Sequence, residues 1–211
     1  MRLLVAAGPT REYIDDVRFL SNASSGRMGC AIAQAAANRG HQVLLVCGPL
    51  EVGAPDVDVR PVVSTQEMLE AVCQAFPHVD AVVMAAAPAD FRPARRAPQK
   101  IKKGKGPLTL ELVPTADILK ELARRREQQV LVGFALESEQ LVERARAKLQ
   151  EKQLDLVVAN RPEAIGAPRA TVHLLHRDGT EERLEDEEKS GIADRLVAVL
   201  ERLVEARRRN P

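Results

Sequence analysis

Residues 2–7, Arg-Leu-Leu-Val-Ala-Ala, form an apolar run without polar alternation, which predicts a strand buried on both faces of a parallel sheet. Gly8-Pro9 ends it. Met28, Ala31, Ile32, Ala35 and Ala36 then recur at helical spacing, predicting a helix from near Gly26 to a left-handed closing turn at Gly40. Residues 42–47 read as a second fully apolar strand, which completes a right-handed parallel crossover unit. Residues 57–61 alternate and end on Pro61, as an edge strand does. Ser64 and Glu67 have capping-box spacing ahead of a helix with Met68, Leu69, Val72 and Phe76 on its buried stripe. Residues 81–86 are the fourth strand.

The pattern breaks over residues 87–107, where Pro88, Pro93, Pro98, Gly104, Gly106 and Pro107 punctuate a loop rich in Arg and Lys. A loop this long inside a compact domain is a lid, a binding loop or disordered. Alternation then predicts a half-exposed strand at 108–112 and a helix at 115–126. Residues 130–135 form a buried strand, 139–153 a helix, and 156–159 a strand ending at Asn160. Residues 171–175 and 181–184 flank Arg177-Asp178-Gly179, a hairpin signal. An amphipathic helix over 187–205 closes the chain, with 207–209 expected as a frayed tail. There is no internal repeat. The predicted fold is α/β: a Rossmann-like open, mostly parallel sheet with helices on both faces and a C-terminal antiparallel hairpin, in one domain spanning 1–211.

Composition narrows the function classes. With 31 basic and 30 acidic residues, nothing pulls the chain as a whole toward nucleic acid or membrane. Aromatic residues make up 2% of the chain, too few for a base-stacking surface. Cys30, Cys47 and Cys73 form no C-x-x-C pair and read as small core residues in a reducing compartment. No signal peptide and no apolar run of membrane-spanning length is present, so the expected location is the cytoplasm.

In an open α/β sheet, ligands bind outside the carboxyl ends of the strands. That places the loops after Ala7, Ala86, Ala135 and Ala159 along one edge, together with Asn22, Asp90, Glu137 and Asn160. Ser24, Ser25 and Gly26 precede the first helix, whose leading amides lack intrahelical partners and can seat phosphate oxygens. Helix capping alone also explains the two serines. The dinucleotide fingerprint is not met, because a long polar loop from Gly8 to Ser25 replaces its tight glycine turn. Residues 100–105 place several lysines on one loop, either as a solvated charge run or as a lid that stabilises departing pyrophosphate. Asp90 is placed to accept from a ribose or base, or to stabilise a turn. Lys148 and Lys152 lie four apart on one helix face, within reach of one ligand or simply facing solvent. No Walker A motif, H-E-x-x-H or metal-ligand cluster occurs. What remains is positioning and electrostatics, which suits activation of a carboxylate by a nucleotide. A dinucleotide-dependent reductase and a non-catalytic phosphate-binding module are the competing readings.

Several uncommon motifs occur in order: residues 7–12, Val17-Arg18, Ser21-Asn22 with residues 24–29, residues 89–93 and 100–103, Val132-Gly133-Phe134-Ala135 and Val158-Ala159-Asn160. Together they resemble phosphopantothenoylcysteine synthetase over nearly the whole chain. The resemblance implies an enzyme of coenzyme A biosynthesis that uses CTP and magnesium to convert 4'-phosphopantothenate to an acyl-cytidylate. L-Cysteine then displaces CMP. It further implies that Asn22 contacts the acyl-nucleotide, that Ser24, Ser25, Gly26, Arg27 and Met28 hold phosphates, and that Lys100 is the lid lysine. Met84, Ala85, Ala86, Asp90 and Phe134 would surround the nucleotide, with Thr115, Ala116, Asp117 and Ile118 close by and contacts from Lys148 and Lys152. A homodimer is implied, with the hairpin at 171–184 as a candidate pairing element. A flavin-dependent phosphopantothenoylcysteine decarboxylase would be a separate protein if Met1 is the natural start. The chain departs from the family pattern at Pro88, where Val is common, at Thr115-Ala116, where Asn-Pro is common, and at Leu136, where Ala is usual.

Overall fold

The computed structural model describes residues 1–209. It opens with β1 (Arg2–Ala7), whose alternate side chains serve two cores. Leu3, Val5 and Ala7 pack on one face of the sheet, and Leu4 and Ala6 on the other. That double burial is why the run shows no polar alternation. Within the expected loop from Gly8 to Ser25 lies an antiparallel hairpin of β2 (Arg11–Tyr13) and β3 (Phe19–Ser21). Strands of three residues are too short for periodicity to register. Next, α1 (Arg27–Asn38) turns Cys30, Ile32, Ala33, Ala35 and Ala36 inward and ends at Gly40, which adopts φ 78° as the spacing predicts. The strands β4 (Gln42–Cys47) and β5 (Asp58–Pro61) continue the sheet in parallel to its edge.

The predicted capping box opens α2 (Thr65–Ala75): Ser64 Oγ accepts from the Glu67 amide at 3.2 Å, and Glu67 accepts from the Val63 amide at 2.8 Å. The next strand, β6 (Ala81–Met84), pairs with β1 on the side opposite β4, so the winding reverses between β1 and β6. A separate ribbon pairs β7 (Phe91–Pro93) with β8 (Leu112–Pro114). The strand expected at 108–112 is therefore displaced, because its partner β7 ends at Pro93 and alternation alone supplies no hydrogen bonds. The helix expected at 115–126 is α3 (Ile118–Arg125). It starts late because Asp117 caps it, accepting from the Lys120 amide at 3.0 Å.

The sheet continues through β9 (Val130–Leu136), α4 (Leu141–Glu151) and β10 (Leu156–Asn160), then turns antiparallel in β11 (Arg169–His176) and β12 (Glu181–Glu188). The closing helix is α5 (Lys189–Arg209). Its end does not fray as expected, because Arg207 reaches the buried carboxylate of Asp155 at 2.5 Å and Arg208 reaches Asp80 at 3.1 Å. The result is an eight-stranded, mostly parallel sheet in the order β12-β11-β10-β9-β6-β1-β4-β5. α1 and α5 cover one face, and α2, α3 and α4 the other. All three cysteines are free thiols, with Cys30 and Cys47 in the core. No helix is long and apolar enough to cross a membrane among the described residues.

Candidate functional site

A cleft of about 490 Å³ opens at the carboxyl ends of β1, β6, β9 and β10. It lies where the winding reverses, the position at which open α/β sheets bind ligands. Beyond β1, the Ala87 amide donates to the Gly8 carbonyl at 2.9 Å, extending the β1–β6 pairing to the rim. The hairpin β2–β3 then brings the chain back, and Asn22 follows directly on β3.

Asn22, Ser24, Ser25, Gly26 and Met28 all line the cleft. Gly26 is the N-cap of α1, in a left-handed conformation with φ 78°, and no side chain caps the helix. Ser25 Oγ lies 3.5 Å from the Arg27 amide, at the limit of a hydrogen bond. Helix capping therefore does not explain the two serines. The uncapped first turn directs the positive end of the helix at the cleft. Gly29 lets this turn sit against the sheet, since a Cβ there would lie 2.4 Å from the Ala7 Cβ.

The opposite wall carries Ala85, Ala86, Pro88 and Asp90 after β6, and Phe134 on β9. Lys148, on α4, donates from Nζ to the Phe134 carbonyl at 2.7 Å. Burial pushes its pKa below that of an ordinary lysine, with partial relief from the Asp117 charge. Asp90 is held by a buried polar network. Thr10 and Thr65 bond through their hydroxyls at 2.9 Å, the Ala89 amide donates to Thr10 at 2.9 Å, and the Thr115 amide donates to the Asp90 carbonyl at 2.9 Å.

Other expected site residues stand behind this wall. Met84 ends β6 with its side chain in the core on the α2–α4 face. Thr115 Oγ1 donates to the Ala89 carbonyl at 2.6 Å, and Ile118 is buried in the core. Asp117 and Lys152 pair at 2.5 Å, and Lys152 also meets Glu151 at 2.8 Å. Burial opposes ionisation of Asp117, but the Lys152 ammonium and the Lys120 amide outweigh it and hold the carboxyl below the usual range. Lys148 and Lys152 thus share one neighbourhood, yet only Lys148 lines the cleft. Ala116 and Lys100 lie outside the lining, the latter on the exposed basic loop.

Arg27, within the phosphate-holding stretch 24–28 that the resemblance implies, also lines the cleft, as do Gly166 and Lys189, to which nothing in the sequence gave a role. Lys189 begins α5, and the antiparallel run of β11 and β12 returns the chain to the carboxyl edge at that point. Its Nζ donates to the Ala164 carbonyl at 3.1 Å, and burial followed by the nearby Arg27 charge lowers its pKa. Such long-range placement leaves no local motif. The cleft therefore combines uncapped helix amides, three basic side chains, two asparagine amides, Asn22 and Asn160, and two carboxylates, Asp90 and Glu137. Among the described residues, no cysteine or histidine lines it. The arrangement can bind and orient phosphorylated ligands.

A family model described as the DNA/pantothenate metabolism flavoprotein C-terminal domain matches residues 1–203. The chain belongs to this family. Coenzyme A biosynthesis bifunctional protein CoaBC of Bacillus subtilis (strain 168) is 43% identical over 188 residues, covering 86% of this chain and 46% of that protein. A cysteine/cysteine sulfinic acid decarboxylase of an unknown prokaryotic organism is 48% identical over 162 residues, covering 75% of this chain and 45% of that protein. The crystal structure of the C-terminal domain of a CoaBC bifunctional protein matches with TM-score 0.85 at 38% identity, covering 97% of this chain and 96% of that one. The chain thus spans about half the length of the curated relatives it matches. Membership in the family agrees with the resemblance to phosphopantothenoylcysteine synthetase carried by the motifs.

Proposed function

We propose that this chain is a phosphopantothenate–cysteine ligase of coenzyme A biosynthesis. The carboxylate of 4'-phosphopantothenate attacks the α-phosphorus of CTP, and the bond to pyrophosphate breaks. The amine of L-cysteine then attacks the acyl carbon of the acyl-cytidylate, CMP departs with the electron pair, and the amine loses a proton. Neither step needs a protein nucleophile. The observation that carries the reading is the uncapped N-terminus of α1, facing a cleft that also holds Lys148 and Lys189. The similarity to CoaBC proteins supports it further.

In this reading the first turn of α1 and Ser24 receive phosphate oxygens, and Asp90, Phe134 and Lys148 flank the nucleoside. Lys100 would be brought over the departing pyrophosphate by the basic loop. No group of three or more His, Cys, Asp or Glu side chains suits a metal ion among the described residues. The cleft would fit magnesium held chiefly by nucleotide phosphates, with Asp90 and Glu137 as the carboxylates available to it, since this ion keeps waters and phosphate ligands readily. When bound, it would offset charge on the pyrophosphate. Pro88 and Leu136 line the cleft, so these departures from the family pattern bear on the choice between CTP and ATP. A homodimer and a flavin-dependent phosphopantothenoylcysteine decarboxylase as partner complete the proposal.

The test is pyrophosphate release with 4'-phosphopantothenate and magnesium, comparing CTP with ATP, each with and without cysteine. The expected result is release with CTP, and CMP with an amide product only when cysteine is present. Release with ATP alone would overturn the nucleotide assignment and keep the reaction. No release from folded protein with either nucleotide would overturn the ligase reading, and tight binding of reduced nicotinamide dinucleotide would then favour a reductase.

A further inference from the structure

Asp15 lies in the turn between β2 and β3 and is fully buried although charged. Its two oxygens do different things. Oδ1 accepts from the amides of Val17 and Arg18, both at 2.8 Å, and these bonds build the turn. Oδ2 accepts from Arg18 Nε at 3.0 Å and from the amide of Ile101 at 3.1 Å. Arg18 in turn donates from its guanidinium to the Ile101 carbonyl at 2.5 Å. Both backbone polar groups of Ile101 are thereby held by one ion pair, eighty-three or more positions away in the chain. A second tie joins the Ala97 amide to the Ile14 carbonyl at 2.8 Å.

The turn itself needs only Oδ1, so the bonds from Oδ2 and Arg18 to Ile101 are not explained by the hairpin. Ile101 belongs to no strand or helix, and the residues that follow it through Gly106 are exposed. Its neighbours are Lys100 and Lys102. We propose that Asp15 and Arg18 are positioning residues that fasten the basic loop to the hairpin carrying Asn22, so that loop cations and cleft keep one arrangement. Burial opposes ionisation of Asp15, but the amides of Arg18, Val17 and Ile101 and the Arg18 charge hold its carboxyl at about 2. The clamp is therefore charged at neutral pH. Its catalytic consequence rests on the proposed ligase activity; the fastening does not.

Two variants separate these claims. Asp15→Asn keeps an oxygen for the turn amides but turns an NH₂ group toward the donors of Arg18 and Ile101. Ile101→Pro removes the amide that Oδ2 accepts and leaves the hairpin untouched, so it decides the matter if Asp15→Asn fails to fold. Tryptic cleavage after Lys102, Lys103 and Lys105, none of which precedes a substituted residue, reports the loop without reference to activity. Cleavage in either folded variant is expected to accelerate roughly tenfold or more, the ratio that one charge-assisted hydrogen bond commands. Pyrophosphate release is expected to lose roughly tenfold in kcat, with KM for the nucleotide changed by less than about twofold. Cleavage at the wild-type rate in a folded Ile101→Pro variant would overturn the clamp. Accelerated cleavage with unchanged kcat would overturn the positioning role. If the wild-type protein turns over no nucleotide at all, the ligase reading fails, and the cleavage rates still decide the clamp.

Discussion

The side-chain amide of Asn22 donates to the backbone carbonyl of Pro88 at 2.9 Å, and its other hydrogen goes to Ala87 at 3.2 Å. Asn22 thereby ties the segment after β3 to the segment after β6, across the mouth of the cleft. The free hydrogen-bonding atom in this arrangement is the acceptor Oδ1.

Asn22→Asp loses both donors and sets a carboxylate against two carbonyl oxygens. Turnover in the pyrophosphate-release assay should fall roughly 10- to 100-fold, and the step that consumes cysteine should slow more than the step that releases pyrophosphate. Unchanged turnover would remove Asn22 from the site.

Lys148→Met deletes a cleft cation and leaves the Phe134 carbonyl without its 2.7 Å partner. The expected outcome is a KM for the nucleotide raised roughly tenfold, the scale of a charge-assisted hydrogen bond. Thermal unfolding should show a loss of about 1 kcal/mol. An unaltered KM would place the nucleotide elsewhere.

The sheet strands and helices were legible because each is long and strongly patterned. Residues 81–86 and 130–135 read as strands, since they are apolar on both sides and too short for buried helices, and the structure places strands at 81–84 and 130–136. The hairpin carrying Asp15 was not legible, because Arg11–Tyr13 and Phe19–Ser21 show no full period. Asn22, Asp90, Glu137 and Asn160 could be placed at the carboxyl edge because each follows or ends a predicted strand there, whereas Phe134, inside β9, was indicated by the family resemblance alone. Lys189 could not, since only the reversal through β11 and β12 brings it there. Lys152 and Asp117 show a different difficulty: helical spacing put Lys152 near the ligand, but the nearest carboxylate captures its ammonium.

Asp155 is buried at the opposite end of the sheet, accepting from the Leu131 amide at 2.8 Å, from Arg126 at 3.0 Å and from Arg207 at 2.5 Å. Asp155→Ala leaves Arg126, itself 12% exposed, without its counter-charge. Chemical denaturation should report a loss of about 3–5 kcal/mol, the cost of breaking a buried pair. A loss under about 1 kcal/mol would mark the cluster as surface-like.

Glu201 on α5 receives bidentate hydrogen bonds from Arg39 at 3.1 and 2.5 Å and lies 2.8 Å from His41 Nε2. The Arg39 bonds, followed by His41 and against a burial penalty, lower its pKa from 4.5 to about 2. A depressed carboxyl pKa contributes stability that is complete above 4.5 and lost as pH falls from there through 2. Screening at this partly exposed pair holds the contribution to about 1 kcal/mol. Glu201→Gln should therefore flatten the fall of unfolding free energy between those pH values, and an identical acid profile would refute the assignment.

The outermost strand of the hairpin reads Glu-Glu-Arg-Leu-Glu-Asp-Glu-Glu, six acidic residues in eight. If two copies of the chain were laid side by side along this border in antiparallel register, Glu181 would face Glu188 and Glu182 would face Glu187, which disfavours the new ladder at both of its ends. The other border is only four residues long and finishes on Pro61, which has no amide to offer. Both rims of the sheet therefore disfavour extension by a copy of themselves. The charges and the proline direct any self-association of the hairpin toward its broad side, and the same two rims discourage crowded chains from zipping into fibrils.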